Sequence, residues 1–432
     1  MSPRAAPRVG ALTRMRVLFV TNYYPPSDQG WGYMQLCEEV VEGLQARGHD
    51  VAVLTSDACQ GPEPDRPYAV DRGLRIDPDW QSSWPAIAQF FVRRRARERA
   101  ALAAFGRLAG RFRPDVVFVW HAIGLPRRLL AAVEAGRAWR TAYYLAGYLP
   151  ELPDEYLAYW SRPAARPLAR LVKGPAARLA RRQLAREGPP VTLHYPNTIC
   201  VSDYVRRRLV GQQLVPADAV VVHNGVDVLQ FDRRDGRDAA DLAGGLRGVV
   251  AGRVTPEKGL HTVVEALGRL GGGAAGPPVT VTVLGSGPPD YLEALHSSAR
   301  AAGLEWSLRF EPPVPRDAMP ETLARFNTLL LPSEYAEPIA RSMQEAMALG
   351  LLVIGTTTGG SGELLVDGET GLVFEPGDAG SLARAISRAT ADPARMEQLA
   401  RAGRDAVRRR FTIERTVDGV ERHLARLLEA SP

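Results

Sequence analysis

The pattern that most restricts the fold is a strand–loop–helix–strand unit near the start of the chain. An apolar run over Arg16–Thr21 predicts a buried strand, and Asp50–Leu54 predicts a second one. Between them, Tyr33–Arg47 carries apolar residues at helical spacing and ends before Gly48. The sequence therefore predicts a βαβ unit, the building block of a parallel, doubly wound α/β sheet.

The same alternation continues in both halves of the chain. In the first half, further strands are predicted at Asp115–Trp120, Arg140–Tyr144, Asn197–Val201 and Ala219–His223. The segment Asp232–Leu246 is rich in Asp, Arg and Gly, and we interpret it as a linker. A second series then has predicted strands at Gly248–Ala251, Val279–Leu284, Ser307–Glu311, Thr328–Leu331 and Leu352–Thr356, and helices at Leu260–Leu270, Asp290–Ala302, Pro338–Leu349, Ala379–Ala391, Pro393–Arg410 and Ile413–Leu428. Two tandem α/β domains imply a cleft, with ligands at the carboxyl ends of the strands.

Length and composition agree with two globular domains. The chain has 432 residues, of which 45% are hydrophobic; neither a membrane span nor a signal peptide is predicted from its apolar runs. Residues 1–14 lack periodicity and are predicted to be a flexible tail before Met15. Three cysteines without metal-ligand spacing suit a reducing cytoplasm and argue against a disulfide framework or a zinc site.

Positive charge is concentrated in two places. The chain carries 54 Lys and Arg against 48 Asp and Glu, a net charge of +6, with basic clusters at Arg93–Arg99 and Arg162–Arg186. Nucleic acid is disfavoured as a partner, because the clusters contain no recognition motif and no interleaved aromatic residues. Two interpretations stay open for Arg162–Arg186: contact with a membrane surface or anionic acceptor, and an ordinary solvated helix face.

One segment of the second half carries two glutamates that could bind the two ends of a ligand. Glu337 and Glu345 lie eight positions apart at the head of a predicted helix, with Pro338 at its first position and Glu337 at or beside the N-cap. Eight helical positions cover roughly 12 Å, about the length of a sugar diphosphate with its ribose. The carboxylates could accept hydroxyl hydrogen bonds at the two ends, while first-turn N–H groups face the phosphates. The alternative is an amphipathic helix with two solvent-facing acids.

Two loops of the second half follow predicted strands. The loop after Gly248–Ala251 contains Arg253 and Lys258, two cations suited to neutralise a diphosphate. The loop that begins at Gly285 reads Gly-Ser-Gly-Pro, whose small residues permit a nucleotide to approach the backbone. It lacks the third glycine of the dinucleotide fingerprint, and the chain has no Gly-Lys-Ser/Thr phosphate loop. A dehydrogenase or a P-loop enzyme is therefore disfavoured.

Taken together, these phrases resemble the retaining glycosyltransferases of family 4, which have the GT-B fold. The phrases that carry the resemblance, in chain order, are Arg47-Gly48-His49-Asp50-Val51, Asn224-Gly225-Val226-Asp227…Phe231, Gly252-Arg253…Glu257-Lys258-Gly259, Pro332-Ser333…Glu337…Glu345-Ala346-Met347-Ala348…Gly350 and Gly359-Gly360…Glu363…Asp367-Gly368…Thr370-Gly371-Leu372. Matching elements run from Met15 almost to the C-terminus.

The resemblance implies two Rossmann-like domains whose parallel sheets face each other across a central cleft. Residues 15–231 would form the acceptor-binding domain, with about 413–432 crossing back to it as the last helix, and residues 246–412 would bind the nucleotide sugar. In that family the residue at Glu337 contacts the donor sugar and the one at Glu345 contacts the ribose. The basic pair, Arg253 and Lys258, would bind the diphosphate, with Gly285 lining the donor site.

The resemblance also implies roles in the first domain. Gly30 and Gly32 would approach the phosphates from across the cleft, and His121, after the strand Asp115–Trp120, would position the acceptor or the donor sugar. For His121 the alternative is a hydrogen-bonded histidine at a strand end.

The chain departs from the family pattern at the sugar end of the site. Ile339-Ala340 stand where Phe-Gly is common, and Arg341 replaces a residue that is more often apolar. All three residues are still expected to bind the donor. We hypothesise that Arg341 adds a positive contact to the donor or to a negatively charged sugar; the alternative is a solvent-facing arginine. After Ser307–Glu311 the usual glycine is Pro312, which affects the loop expected to contact the base.

The implied activity is transfer of a sugar from a nucleoside diphosphate to a hydroxyl of a glycan, a lipid-linked or a small-molecule acceptor. Retention of the anomeric configuration is expected, without a metal or a cofactor. The protein is expected to be cytoplasmic and to contact the inner membrane face peripherally through Arg162–Arg186. Alternatives are another GT-B activity, such as a 2-epimerase or a phosphorylase, and a non-catalytic scaffold that binds nucleotide sugars.

Overall fold

The computed structural model describes residues 14–27, 31–76, 86–164, 167–232, 241–271 and 278–429. Contacts between residues divide the chain into two compact units. The described residues of Met1–Cys200, Arg206–Val222 and Val417–Pro432 form unit 1, and those of Val201–Val205 and His223–Thr416 form unit 2. Unit 2 therefore begins earlier in the chain than the predicted boundary at residue 231, and most of the last helix belongs to unit 1.

Unit 1 is built on a parallel sheet. Its strands are β1 (Arg16–Thr21), β2 (Asp50–Ser56), β3 (Ala69–Leu74), β4 (Val116–His121), β5 (Arg140–Leu145), β6 (Thr198–Cys200) and β7 (Val220–Val221). In the described part of the chain the strand order is β3-β2-β1-β4-β5-β6-β7, and each pairing is parallel. The central β1 is buried from Val17 to Val20, which explains its unbroken apolar sequence, because helices cover both faces of such a sheet.

The helices of unit 1 connect these strands. They are α1 (Trp31–Ala46), α2 (Ala86–Ala88), α3 (Arg94–Phe112), α4 (Arg127–Glu134), α5 (Glu155–Ser161), α6 (Pro167–Arg186) and α7 (Asp203–Gly211). A π-helical turn, Gln89–Arg93, joins α2 to α3. Strand β3 was not predicted, because its sequence, Ala-Val-Asp-Arg-Gly-Leu, does not alternate apolar and polar residues. It lies at the edge of the sheet.

Unit 2 repeats the arrangement with a second parallel sheet. Its strands are β8 (Leu246–Ala251), β9 (Val279–Leu284), β10 (Leu308–Glu311), β11 (Thr328–Leu331), β12 (Leu352–Gly355) and β13 (Leu372–Val373), in the order β10-β9-β8-β11-β12-β13 across the described residues. Its helices are α8 (Leu260–Arg269), α9 (Pro289–Ala301), α10 (Met319–Ala324), α11 (Arg341–Ala348), α12 (Ala379–Ala391) and α13 (Pro393–Arg410), and α14 (Ile413–Glu429) returns to unit 1.

The segment interpreted as a linker is partly structural. Leu242 and Leu246 are buried in the hydrophobic core of unit 2, and Leu246 begins β8. The prediction of a linker at these two residues is wrong, because their apolar side chains pack beneath the sheet. Residues 233–240 of the segment lie outside the described residues.

The strand orders locate the edges where ligands bind. In unit 1 the chain reverses direction across the sheet between β1 and β4, and in unit 2 it reverses between β8 and β11. Ligands of doubly wound sheets bind outside the carboxyl ends of the strands at such a switch point. His121 ends β4, and the loop containing Arg253 follows β8.

The predicted start of the helix after β11 is wrong. The helix α11 begins at Arg341, with extended backbone at Ala340, and not at Pro338. The backbone of Glu337 instead forms a parallel bridge with Gly359, and its carbonyl accepts a hydrogen bond of 2.7 Å from the Gly360 N–H. Proline also disfavours helical backbone in the residue before it. Glu337 therefore lies in an extended loop, and the estimate of 12 Å between helical positions does not apply.

Candidate active site

The loop after β8 presents two cations at the carboxyl edge of the unit 2 sheet. A short 3₁₀ helix, Pro256–Lys258, orders the loop, and the Val254 N–H donates to the Ser286 carbonyl at 2.8 Å. Arg253 is exposed. Burial raises the pKa of the Glu257 carboxyl, but hydrogen bonds and the charges of Arg253 and Lys258 outweigh it and hold the pKa below its ordinary value.

Glu337 is a buried carboxylate held by a cation and a hydroxyl. Its side chain is only 7% exposed and forms an ion pair with the Lys258 ammonium. The Ser333 hydroxyl donates to the same oxygen, Oε1, at 2.5 Å. The Lys258 ammonium also lies 5.5 Å from the centre of the Tyr335 ring. The structure thus brings Glu337 and Lys258, predicted from separate motifs, into direct contact.

A glycine makes the position of Glu337 possible. Gly359 has a φ of +70°, and a Cβ there would lie 2.1 Å from the carbonyl oxygen of Glu337. A larger residue would therefore clash with the backbone of the loop and strain its own. The Gly-Gly pair, which the sequence analysis lists only as part of the family pattern, fixes the loop that holds the carboxylate.

Glu345 is held by two guanidinium groups. It lies on α11, 7% exposed at its side chain, and forms an ion pair with Arg316. The Arg341 Nε donates to Glu345 Oε1 at 3.1 Å, one helical turn away. The Arg316 guanidinium stacks 4.8 Å from the centre of the Phe231 ring, and its Nη2 is buried without a hydrogen bond to a described residue.

Three further residues predicted to bind the donor also lie in unit 2. Ile339 and Ala340 are buried in the loop between Glu337 and α11. Gly285 follows β9, and a Cβ there would lie 1.9 Å from the Gly252 carbonyl oxygen. Only glycine therefore allows the loops after β8 and β9 to lie this close.

Two of the residues predicted in unit 1, Gly32 and His121, lie at the carboxyl edge of its own sheet. Gly32 is in the first turn of α1, and Gly30 lies outside the described residues. His121 ends β4 and stacks on Tyr33, with ring centroids 3.9 Å apart. Its Nδ1 is buried without a hydrogen bond to a described residue. Burial lowers the pKa of His121 to about 3, so the ring is neutral at physiological pH.

Several residues that hold the site together were given no role from the sequence: Arg316 was not singled out, and Ser333 and Glu363 were quoted only within phrases of the family pattern. Arg316 and Ser333 contact the two glutamates directly, yet both stand in loops with no periodicity to mark them. Glu363 accepts hydrogen bonds from His223 at 2.7 Å and from the Tyr204 N–H at 2.9 Å. Burial raises the pKa of Glu363, but these bonds outweigh it and lower the value.

Among the described residues, no group of three or more His, Cys, Asp or Glu side chains is arranged to hold a metal ion. The described helices also include none that is both long and apolar enough to cross a membrane.

Family comparisons match both parts of the chain. The model described as Glycosyltransferase Family 4 matches residues 35–229, and the model described as Glycosyl transferases group 1 matches residues 247–406. The two matches fall in the order and positions expected for a GT-B protein with two Rossmann-like domains. The protein belongs to the family 4 type of glycosyltransferases.

Relatives with described activities resemble parts of the chain. Glycogen synthase of Mycobacterium tuberculosis is 31% identical over 191 residues, 44% of this chain and 44% of that protein. The 2-deoxystreptamine N-acetyl-D-glucosaminyltransferase of Streptomyces fradiae is 28% identical over 305 residues, 68% of this chain and 67% of that protein. The match thus spans less than half the length of the glycogen synthase.

A solved structure extends the likeness to the whole chain. Anabaena Alr3699/HepE, in complex with UDP and glucose, superposes with a TM-score of 0.64 at 20% identity, covering 97% of this chain and 100% of that one. At this identity the likeness establishes the fold.

Proposed function

We propose that this protein is a glycosyltransferase that moves a hexosyl group from a nucleoside diphosphate sugar to a hydroxyl of its acceptor. Anomeric configuration is retained in this proposal, and no metal or cofactor takes part. The acceptor is a glycan, a lipid-linked glycan or a small molecule. The UDP and glucose bound by the Anabaena protein and the activities of the two relatives support this class of reaction.

The observation that carries the proposal is the pair of clamped carboxylates at one edge of the unit 2 sheet. Glu337 is held by Lys258 and Ser333, and Glu345 by Arg316 and Arg341. Burying two carboxylates costs free energy unless cations and hydrogen bonds compensate. Such an arrangement suits a site that must orient hydroxyl groups while its cations face phosphate.

The chemistry follows from where charge develops. As the bond between the anomeric carbon and the diphosphate breaks, negative charge grows on the departing phosphate oxygen. Arg253 and Lys258 are suited to stabilise that charge. The acceptor oxygen attacks the anomeric carbon on the face that the diphosphate leaves, and its proton passes to the departing phosphate oxygen. No protein nucleophile is needed for this step, and Glu337 orients the sugar.

Product analysis tests the stereochemistry and the metal requirement. NMR of the freshly formed product should show the anomeric configuration of the donor, and EDTA should leave the rate unchanged. An inverted product would refute retention, whereas a rate restored only by added Mg²⁺ or Mn²⁺ would refute metal independence.

Other GT-B activities have distinct outcomes. A 2-epimerase would convert the donor into its epimer without an acceptor, and a phosphorylase would carry the near-ultraviolet absorbance of pyridoxal phosphate. A binding scaffold would bind nucleotide sugars but neither hydrolyse nor transfer them. We expect the purified protein to hydrolyse its donor slowly in the absence of acceptor.

Helix α6 supports the part of the proposal that concerns location. Leu171, Val172 and Leu179 are exposed on this helix, next to the cations of Arg162–Arg186. Exposed apolar residues among cations suit the surface of an anionic membrane. We therefore place the enzyme in the cytoplasm at the inner membrane face. Flotation with anionic liposomes should carry the protein at low salt, and failure to float would refute the contact.

A further inference from the structure

Unit 1 contains a large cavity that none of the predicted site residues lines. Its volume is about 580 Å³, within the range of about 300–1,000 Å³ typical of pockets for small molecules. Its lining residues include Ala122, which follows His121 at the end of β4, and Leu149 and Leu152 from the segment after β5. It therefore lies at the carboxyl edge of the unit 1 sheet, where ligands of doubly wound folds bind.

Most of the cavity wall is apolar. Side chains come from α3, from the segments after β4 and β5, from α4 and α5, from the C-terminal part of α6 and from the segment that follows it. The apolar ones include Ile123, Leu125, Leu130, Leu152, Leu157 and Leu184. An apolar wall of this kind gains free energy when it removes the hydrocarbon surface of a ligand from water.

Most of the carboxylates at the wall already have partners. Arg94 donates to Glu98 at 3.1 Å and to Glu187 at 2.5 Å. The side chain of Asp154 caps α5 by accepting from the backbone N–H groups of the first turn. Glu155 lies in that first turn, where the helix dipole stabilises negative charge. Glu98 and Glu187 are thus paired with cations within the protein, and Asp154 and Glu155 are stabilised by the start of α5.

Three guanidinium groups at the same wall keep unused donors. Arg127 donates one hydrogen bond, from Nη2 to the Leu152 carbonyl at 2.5 Å, and Arg181 donates one from Nε to the Ala177 carbonyl at 3.4 Å. Arg128 forms ion pairs with Glu98 and Glu187 at 3.7 and 3.6 Å, distances too long for hydrogen bonds, so its N–H donors are not used by these carboxylates. A guanidinium carries five N–H donors, so these groups can still bind an anion.

We propose that this cavity binds the acceptor as an amphiphile, with an apolar body against the leucines and an anionic group at Arg127, Arg128 and Arg181. The part of the inference that makes this ligand the acceptor rests on the proposed function. Phosphate and carboxylate share the required chemistry, because both accept paired N–H donors from arginine.

Calorimetric titration with three simple probes tests the chemistry of the cavity. Octyl phosphate carries both features, 1-octanol carries only the apolar chain, and inorganic phosphate carries only the charge. Octyl phosphate should bind at least about tenfold more tightly than either single-feature probe, a difference of about 1.4 kcal/mol. Equal affinity for octyl phosphate and 1-octanol would overturn the anionic part, and no binding of octyl phosphate would overturn the proposal.

Two variants with matched controls locate the binding. Leu152 is 43% exposed at the cavity wall, so Leu152→Trp fills space without disturbing the core and should weaken octyl phosphate about tenfold or more. Leu229→Trp makes the same change at an exposed residue elsewhere and should bind octyl phosphate as the wild type does.

Arg128→Gln should lower the affinity for octyl phosphate but leave the affinity for 1-octanol unchanged. Arg137→Gln, away from the cavity, should change neither affinity. Wild-type affinity in Leu152→Trp would refute this location.

Donor hydrolysis separates this inference from the proposed function. If octyl phosphate binds as expected but the protein hydrolyses no nucleotide sugar, the proposed function and the acceptor role are wrong, while the amphiphile site stands. If hydrolysis proceeds but octyl phosphate does not bind, only the cavity proposal is wrong. Leu152→Trp should keep the far-ultraviolet circular dichroism spectrum and the thermal melting curve of the wild type, which shows that the variant is folded.

Discussion

The two units present opposite chemistry at corresponding edges of similar sheets. In unit 2, the loops after β8, β10 and β11 and the helix α11 bring buried carboxylates together with lysine and arginine. In unit 1, the loops after β4 and β5 enclose a mostly apolar cavity beside a neutral histidine. A parallel sheet supplies the same scaffold to both, so the difference lies in the side chains of the loops. We infer that unit 2 suits a ligand with several charged and hydroxyl groups, and that unit 1 suits one with an apolar body and an anionic group.

The largest effect is expected from Glu337→Gln. This substitution keeps the size of the side chain but removes the charge that pairs with Lys258 and that, in the proposed function, orients the sugar. We expect transfer to fall about 10²–10³-fold. Initial rates at saturating donor measure it. Glu397→Gln, an exposed change on α13, is the control, and a variant with more than a tenth of wild-type activity would contradict the role of Glu337.

Lys258→Met should destabilise unit 2 as well as inactivate the enzyme. The change leaves the Glu337 carboxylate buried without its cation, which costs about 3 kcal/mol in the free energy of unfolding. Urea denaturation measures the loss. The double variant Lys258→Met/Glu337→Gln removes both charges and should recover part of the stability but none of the activity. If the double variant were no more stable than Lys258→Met, the ion pair would not be the cause.

His121 should make the stability of unit 1 depend on pH. Its pKa in the folded protein is about 3, against about 6.5 when unfolded, so the unfolded state binds the extra proton between these values. The contribution of His121 to the free energy of unfolding is fully present above pH 6.5. It decreases as the pH falls, by about 2 kcal/mol from pH 7 to pH 5. His121→Asn should remove this part of the decline, and identical pH slopes for both proteins would refute the assignment.

A smaller effect is expected from Arg341→Ala. Arg341 is one of two cations on Glu345, and Arg316 remains in the variant. The KM for the donor should rise about threefold, the equivalent of a loss below 1 kcal/mol, with kcat unchanged. Arg384→Ala, exposed on α12, is the control. An unchanged donor KM would show that Arg341 does not help to place Glu345.

The sequence predicted unit 2 better than unit 1 for a physical reason. Strands β9 and β11 and helices α12 and α13 were predicted with the observed bounds, because their apolar patterns are unbroken. Glu337 and Lys258 belong to short phrases that can be recognised locally. The start of α11 was mispredicted, because a backbone bridge to Gly359, far along the chain, outweighs the local signal of Pro338.

The cavity of unit 1 could not have been predicted in this way. Its wall draws on segments near residues 94–98, 122–130, 149–157 and 181–195, which no local pattern connects. Arg316 was missed for a similar reason, since only the folded loop after β10 brings it to Glu345. Motifs of contiguous residues can be recognised from the sequence, whereas a surface assembled from distant segments can be recognised only from the three-dimensional structure.

The central claim is that unit 2 holds a nucleoside diphosphate sugar through Lys258 and Glu337, independently of the cavity in unit 1. A thermal-shift screen with UDP, GDP, ADP and dTDP sugars tests it most directly, because a ligand that binds only the folded state raises the melting temperature. We predict that at least one donor stabilises the wild type and Leu152→Trp alike and has little effect on Lys258→Met. A donor that stabilises Lys258→Met as much as the wild type, or no stabilisation by any of the four classes, would contradict the account.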